Sequence, residues 1–146
     1  MAINQTLNEI LVKLFRNINN LEERAIRDGA YENVTVNDVH VMEAIGVNTP
    51  KNMSAVAKEL SVTTGTLTIS VNSLVKKDFV KRIRSEKDRR VVLVSLTEKG
   101  KKAYAEHKLF HQKMIEGVIK NLSEEEQKVL ETALQDLMDF FQNYQK

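Results

Sequence analysis

One stretch of the chain, residues 54–96, restricts the possible folds more than any other. It reads SAVAKELSVTTGTLTISVNSLVKKDFVKRIRSEKDRRVVLVSL. Val56, Ala57 and Leu60 give a short amphipathic helix, and residues 61–63 break its pattern. Thr63 is an N-cap candidate, because its hydroxyl accepts well from a backbone N–H two or three residues later. The stretch therefore predicts two short helices joined by a tight turn and followed by a β-hairpin.

The second helix has a core-facing side and a polar side. Leu67, Val71 and Leu74 recur at helical spacing and predict the buried face. Short hydroxyl and amide groups near the opposite side suit contact with bases or phosphates, and a glycine at the helix start allows a close approach to a phosphate. A merely solvated face would also be polar, but its position ahead of a basic hairpin favours DNA contact. The predicted DNA contacts on this helix are Thr64, Gly65, Thr66, Thr68 and Asn72.

The hairpin and the residues just before it have a concentrated net positive charge. Residues 79–84 and 91–95 alternate apolar and polar side chains, and the tip between them reads SEKDRR. Residues 76–90 contain eight cations and three anions, a net +5, whereas the whole chain carries +2. Such a concentration is typical of a phosphate-binding surface. The predicted DNA-contacting residues here are Lys76, Arg82, Arg84, Lys87, Asp88, Arg89 and Arg90. We therefore predict a winged helix-turn-helix over residues 35–97 that binds double-stranded DNA.

Long helices are predicted on both sides of this part. Residues 4–28 form an amphipathic helix, residues 36–45 form a second helix capped by Thr35 and Asp38, and residues 46–52 are predicted as a connection. After the hairpin, Thr97 caps the next helix, and Ser123 with Glu126 forms a capping box for the last one.

The first and last helices share a heptad-like apolar pattern. Leucines, isoleucine and aromatic residues alternate at spacings of three and four, which gives stripes wider than one small domain covers. We expect residues 1–30 and 98–146 to form a homodimer, although packing of the two helices on each other within one chain is the alternative. The predicted fold is thus mainly α with a small β-hairpin wing, dimerising through its N- and C-terminal helices.

Composition excludes several classes of protein. A hydrophobic content of 42% argues against a disordered chain, and zero cysteines rule out disulfides and thiol chemistry. No long apolar run or signal-peptide pattern occurs, so we expect a cytoplasmic protein without a membrane partner. No phosphate-binding loop, nucleophile motif or paired carboxylates indicate an enzyme.

The end of the hairpin resembles a known family. DRRVVLVSLTEKG at residues 88–100 is similar to the wing of the MarR family of bacterial transcriptional regulators. The resemblance implies that Arg90 enters the minor groove and that Asp88 braces the wing tip. Asp78 stands where the family commonly has glycine.

Within the family, four segments are similar to the FabT branch, repressors of type II fatty-acid synthesis genes. They are TVNDVHVMEAIG at 35–46, IRSEKDRRVV at 83–92, EHKLFHQKMIEGV at 106–118 and LSEEE at 122–126. This resemblance implies a repressor whose corepressor is long-chain acyl-acyl carrier protein, with no other cofactor required. The predicted lining of an acyl-chain pocket is Phe15, Ile18, Met42, Ile45, Phe110 and Met114.

The histidines give an alternative. His107 and His111 are separated by one helical turn, Glu106 is adjacent, and His40 is available as a further ligand. This spacing suits zinc, so a regulator that senses zinc or another small ligand is the second hypothesis.

Overall fold

The computed structural model describes residues 2–144, which form six α-helices and three short β-strands. In chain order they are α1 (Ala2–Arg27), α2 (Val36–Ile45), β1 (Lys51–Asn52), α3 (Met53–Leu60), α4 (Thr64–Lys76), β2 (Val80–Arg84), β3 (Val92–Leu96), α5 (Glu98–Ile119) and α6 (Glu124–Tyr144). The described residues divide into two compact units, 2–108 and 109–144. The predicted class, mainly α with a small β wing in a winged helix-turn-helix, is confirmed.

The predicted helix caps are present. Thr35 and Asp38 form a reciprocal capping box at α2, and the Thr63 hydroxyl accepts from the Thr66 backbone N–H at 3.1 Å. At α6, the Ser123 backbone N–H donates to Glu126 Oε1 at 3.0 Å. This bond, followed by the one involving the Ser123 hydroxyl, holds the pKa of Glu126 below its ordinary value.

The sheet has one strand more than the sequence predicted. β2 and β3 form the antiparallel hairpin, with Val80 opposite Leu96 and Arg84 opposite Val92. β1 pairs with the other side of β3, placing Lys51 opposite Val94, so the prediction that residues 46–52 are only a connection was wrong at their end. Two residues are too few to show the alternation by which strands are predicted.

The core of the first unit surrounds α2. Val56, Leu67, Val71 and Leu74 from α3 and α4 are at most 1% exposed, as are Val94 and Leu96 from β3. Val39, Met42 and Ile45 of α2 are buried at helical spacing, and Val41 and Ala44 are buried as well. α2 is therefore covered on most of its circumference, which is why its apolar residues do not follow a single stripe.

α4 ends in a left-handed turn at the residue that departs from the family pattern. Asp78 has φ +66°, and its N–H donates to Val75 O at 3.1 Å while the Phe79 N–H donates to Leu74 O at 2.9 Å. These two bonds and the burial of Leu74 and Phe79 define a Schellman ending. The turn therefore forms with aspartate where glycine is the usual residue.

The start of α5 is fixed to the same turn. Thr97 donates from its hydroxyl to Asp78 O at 2.6 Å and accepts from the Gly100 N–H at 3.1 Å, the predicted cap. A Cβ at Gly100 would lie 2.1 Å from Phe79 O, so only glycine fits this close backbone approach.

The terminal helices expose their predicted apolar stripes. On α1, Leu7, Leu14 and Leu21 are about half exposed, and on α6 the same is true of Leu134 and Phe141. No helix within residues 2–144 is both long and apolar enough to cross a membrane.

Candidate DNA-binding surface

The start of α4 is built by a tight turn after α3. Ser61 adopts a left-handed conformation at φ +56°, and the Val62 N–H donates to Ala57 O at 3.0 Å. Thr63 then caps α4 and also donates from its hydroxyl to Thr66 Oγ1 at 2.9 Å. The hydrogen bonds between Thr63 and Thr66 thus order the first turn of α4.

The exposed face of α4 contains all the residues predicted on this helix to contact DNA, together with Lys76. Thr64, Gly65, Thr66, Thr68, Asn72 and Lys76 are all exposed, whereas Leu67, Val71 and Leu74 are buried. The Thr68 hydroxyl donates to Thr64 O at 2.8 Å, so it faces solvent as an acceptor. Their roles in binding DNA stay predictions, but the structure places them on one accessible helix face.

An apolar residue lies in the middle of this polar face and was missed from the sequence. Ile69 is 73% exposed. Its position two residues from both Leu67 and Val71 is the signal that would have found it, because two residues correspond to about 200° around a helix.

The wing and α4 are joined by a polar contact. Arg82 of β2 donates from Nη2 to the Oδ1 of Asn72, so the predicted contacts Arg82 and Asn72 bind each other. With its carbonyl oxygen engaged, Asn72 presents its amide N–H groups to solvent. The Asn72 side chain can therefore still donate hydrogen bonds while Arg82 occupies its oxygen.

The tip of the wing is held by Asp88. Its two carboxylate oxygens accept from Arg90 Nε at 3.1 Å and from Arg90 Nη2 at 3.2 Å, and the Arg90 backbone N–H adds a third bond at 3.0 Å. The Arg90 side-chain bonds, followed by the backbone bond, hold the pKa of Asp88 below its usual value. The Arg90 side chain is nevertheless 90% exposed. It is therefore positioned by Asp88 and accessible to solvent at the same time.

The other basic residues of the hairpin are exposed, with one internal exception. Arg84, Lys87 and Arg89 are accessible, and Arg84 donates to Arg89 O at 2.9 Å across the tip. Lys77, which belongs to the basic run but was not predicted to contact DNA, is directed inwards. It donates to Asp38 Oδ2 at 2.8 Å and to Asn33 O at 2.6 Å.

The side chains predicted to line an acyl-chain pocket differ in exposure. Met42 and Ile45 are each 1% exposed within the core of the winged helix, and their role as pocket lining stays a prediction. Phe15 is exposed and Ile18 half-buried on α1, while Phe110 and Met114 are half-buried on α5. An open cleft of about 720 Å³ includes none of these six residues and is lined by residues between Glu23 and Asn37.

Two of the three histidines bind a buried glutamate that was not singled out from the sequence. Glu22 of α1 is 4% exposed, and its Oε1 lies 3.0 Å from His40 Nε2 and 2.9 Å from His107 Nε2. Glu43 Oε1 also approaches His107 Nε2, at 3.2 Å. The adjacent Glu106 instead accepts from the Ala30 N–H at 3.3 Å, and His111 follows one turn after His107 on α5. The separation of 85 residues between Glu22 and His107 hid this pairing from sequence patterns.

Comparison with known proteins identifies regulators with this architecture. Residues 30–107 match the family model described as transcriptional regulator SarA/Rot. The structure of Streptococcus pneumoniae FabT in complex with DNA superposes with a TM-score of 0.92 at 38% identity, covering 97% of this chain and 99% of that one. An Escherichia coli MarR variant complexed with operator DNA gives a TM-score of 0.71 at 26% identity, covering 90% and 93% of the two chains.

Sequence relatives agree over shorter lengths. The uncharacterized HTH-type transcriptional regulator YhjH of Bacillus subtilis is 29% identical over 105 residues, which are 72% of this chain and 59% of YhjH. The aligned region of BilQ, an HTH-type regulator of Clostridium symbiosum, is 47% of that protein. The chain thus spans about half the length of these curated relatives.

Proposed function

Since this chain belongs to the MarR family of DNA-binding transcriptional regulators, we propose that it is a homodimeric repressor of fatty-acid biosynthesis genes with long-chain acyl-acyl carrier protein as corepressor. The observation that carries the proposal is the similarity to Streptococcus pneumoniae FabT over 99% of that chain, including the wing and α4. The four sequence segments that resemble the FabT branch support the same assignment.

Dimerisation is supported by the unpartnered apolar surface of the terminal helices. Leu7 and Leu14 on α1, and Leu134 and Phe141 on α6, each expose 44–50% of their surface, and exposed apolar stripes of this kind mark interaction sites. A second copy would bury these stripes and hold two α4 helices about 34 Å apart, the spacing of successive major grooves.

The dimer is tested by placing a charge within the stripe. Leu134→Asp should dissociate the dimer in sedimentation, because an unpaired carboxylate is costly to bury. Thr132→Asp adds the same charge at an exposed position on the opposite side of α6 and is expected to remain dimeric. If the Leu134→Asp variant forms a dimer with the same dissociation constant as the wild type, α6 is excluded from the interface.

The corepressor is proposed to act on the separation of the two α4 helices. A ligand tightens DNA binding only by the amount it prefers the binding-competent conformation. The apolar side chains predicted to contact the acyl chain stay Phe15, Ile18, Met42, Ile45, Phe110 and Met114.

The corepressor is tested by fluorescence anisotropy on promoter DNA of the fatty-acid synthesis genes from the same organism. Long-chain acylated carrier protein should increase affinity, whereas unacylated carrier should have little effect. Met114→Trp should remove the acyl response and keep basal binding, and Lys113→Trp, at the neighbouring exposed position, should retain both. Wild-type affinity that does not change with the acyl chain would refute the corepressor.

A second candidate function rests on the buried Glu22 carboxylate. One oxygen atom of Glu22 approaches the Nε2 atoms of both His40 and His107, and carboxylate oxygen with imidazole nitrogen is a donor set that zinc accepts. We propose zinc-dependent DNA binding as the alternative to acyl control. The hydrogen bonds within the cluster also satisfy these groups without a metal.

Calorimetric titration of metal-free protein with zinc distinguishes these possibilities. Binding that disappears in Glu22→Gln, persists in the adjacent exposed Glu23→Gln and changes DNA affinity would support zinc sensing. DNA affinity that responds to zinc but not to acylated carrier protein would replace the fatty-acid assignment. Heat signals equal in both variants would assign the Glu22 cluster a purely structural role.

A further inference from the structure

Ile69 lies at the centre of the exposed face of α4 and does not belong to the hydrophobic core of the described residues. Ile69 leaves 73% of its surface exposed, and it projects away from the core because it is about 200° from Leu67 and from Val71. Gly65 lies one turn before it and Asn72 nearly one turn after it, so Ile69 occupies the middle of this surface.

Exposure alone would not assign a role, since isolated apolar residues are common on protein surfaces. The position is informative because the exposed side of the second helix of a helix-turn-helix enters the major groove. The base edges there present one apolar group, the C5-methyl of thymine. Gly65 lacks a side chain that would hold the helix away, so a branched side chain at position 69 is accessible to a base edge.

We propose that Ile69 is a specificity-determining residue that packs against the methyl group of a thymine in the major groove. The proposal rests on sequence-specific DNA binding through α4 and adds an apolar component to a face otherwise made of hydroxyl, amide and lysine groups. It requires no particular effector and holds for either acyl or zinc control.

The test removes the methyl group from the DNA. The probe is a duplex selected from a random-sequence library by the wild-type protein, with each thymine replaced singly by deoxyuridine, which pairs identically but lacks the methyl. One thymine in each half-site should show about a fourfold loss of affinity, the effect expected for one buried methyl-sized group. Ile69→Ala should bind the unsubstituted duplex at least that much more weakly and should show no further loss with deoxyuridine at that site.

Two variants serve as controls. Ile69→Val keeps a branched apolar side chain and should retain the response to deoxyuridine. Val75→Ala shortens another exposed apolar residue of α4, 36% exposed but on a different side, and should also retain it. Thermal unfolding verifies that each variant is folded.

The proposal would be overturned by a wild-type protein that is insensitive to deoxyuridine at every thymine, or by an Ile69→Ala variant that keeps the full sensitivity. Unchanged DNA affinity of the Ile69→Ala variant also overturns the proposal, even if the exposed face of α4 binds another protein. If the wild-type protein selects no sequence from the library, the assumption of sequence-specific DNA binding, on which the proposal rests, is contradicted instead.

Discussion

The ammonium group of Lys77 connects the C-terminal end of α4 to the start of α2. Its removal is expected to destabilise the winged helix-turn-helix. Lys77 Nζ donates to Asp38 Oδ2 at 2.8 Å and to Asn33 O at 2.6 Å. The Asp38 side chain is 6% exposed and that of Lys77 is 28% exposed. Lys77→Met keeps the aliphatic stem but leaves the Asp38 carboxylate with its capping bond from the Thr35 N–H, 3.1 Å long.

The expected cost of Lys77→Met is about 2 kcal/mol of unfolding free energy. Breaking a fully buried ion pair costs roughly 3–5 kcal/mol, and the partial exposure of Lys77 lets water replace some of the lost stabilisation. Lys76→Met, one residue earlier and exposed, should change stability by less than about 0.5 kcal/mol.

Urea unfolding followed by circular dichroism measures both variants at one protein concentration, because the proposed dimerisation would contribute to stability. Combining Lys77→Met with Asp38→Asn should cost less than the sum of the two single substitutions, since each removes the same interaction. Stability of Lys77→Met equal to that of Lys76→Met, or full additivity with Asp38→Asn, would refute the reasoning.

Three further predictions follow from the turn and the wing. Asp78→Gly should stabilise the protein by up to about 1 kcal/mol in thermal unfolding, because glycine tolerates φ +66° better; a lower melting temperature would show that aspartate contributes more than strain. Arg90→Ala should weaken binding to all DNA sequences and lower the salt slope by about one unit, whereas an unchanged slope would exclude phosphate neutralisation. The pKa of the Asp88 carboxyl is lowered in the folded state, so the stabilisation from its ion pair is complete above about pH 4, the unfolded pKa, and is lost as pH falls through the folded value. An NMR titration should show this low midpoint, with Arg90→Ala returning it to the ordinary range.

Local rules account for the parts of the fold that were predicted from sequence. The caps at Thr35, Thr63, Thr97 and Ser123 depend on residues within three positions, which a sequence displays directly. The same is true of the buried side of α4, where Leu67, Val71 and Leu74 repeat at helical spacing.

Contacts between distant residues account for what was missed. β1 exists because β3 offers it an open edge, and Glu22 meets His107 across 85 residues. The burial of Val41 and Ala44 beside Met42 and Ile45 depends on elements from several parts of the chain that pack around α2, which a periodic pattern does not display. The exposed Ile69 was overlooked for a different reason, since an isoleucine within an amphipathic helix is usually counted as core.

The close approach at Gly100 has a mechanical consequence for regulation. Phe79 O lies 2.1 Å from the place where a Cβ on residue 100 would be, and the Thr97 hydroxyl donates to Asp78 O at 2.6 Å. The first turn of α5 and the end of α4 are therefore in close contact and have little freedom to move relative to each other. A hinge requires residues whose backbone dihedral angles can change, and the close contacts at this junction restrict such changes. A displacement of the first turn of α5 is therefore expected to move the end of α4 and the wing with it. If the proposed effector acts through α5, substitutions at Gly100 should weaken its influence on DNA affinity.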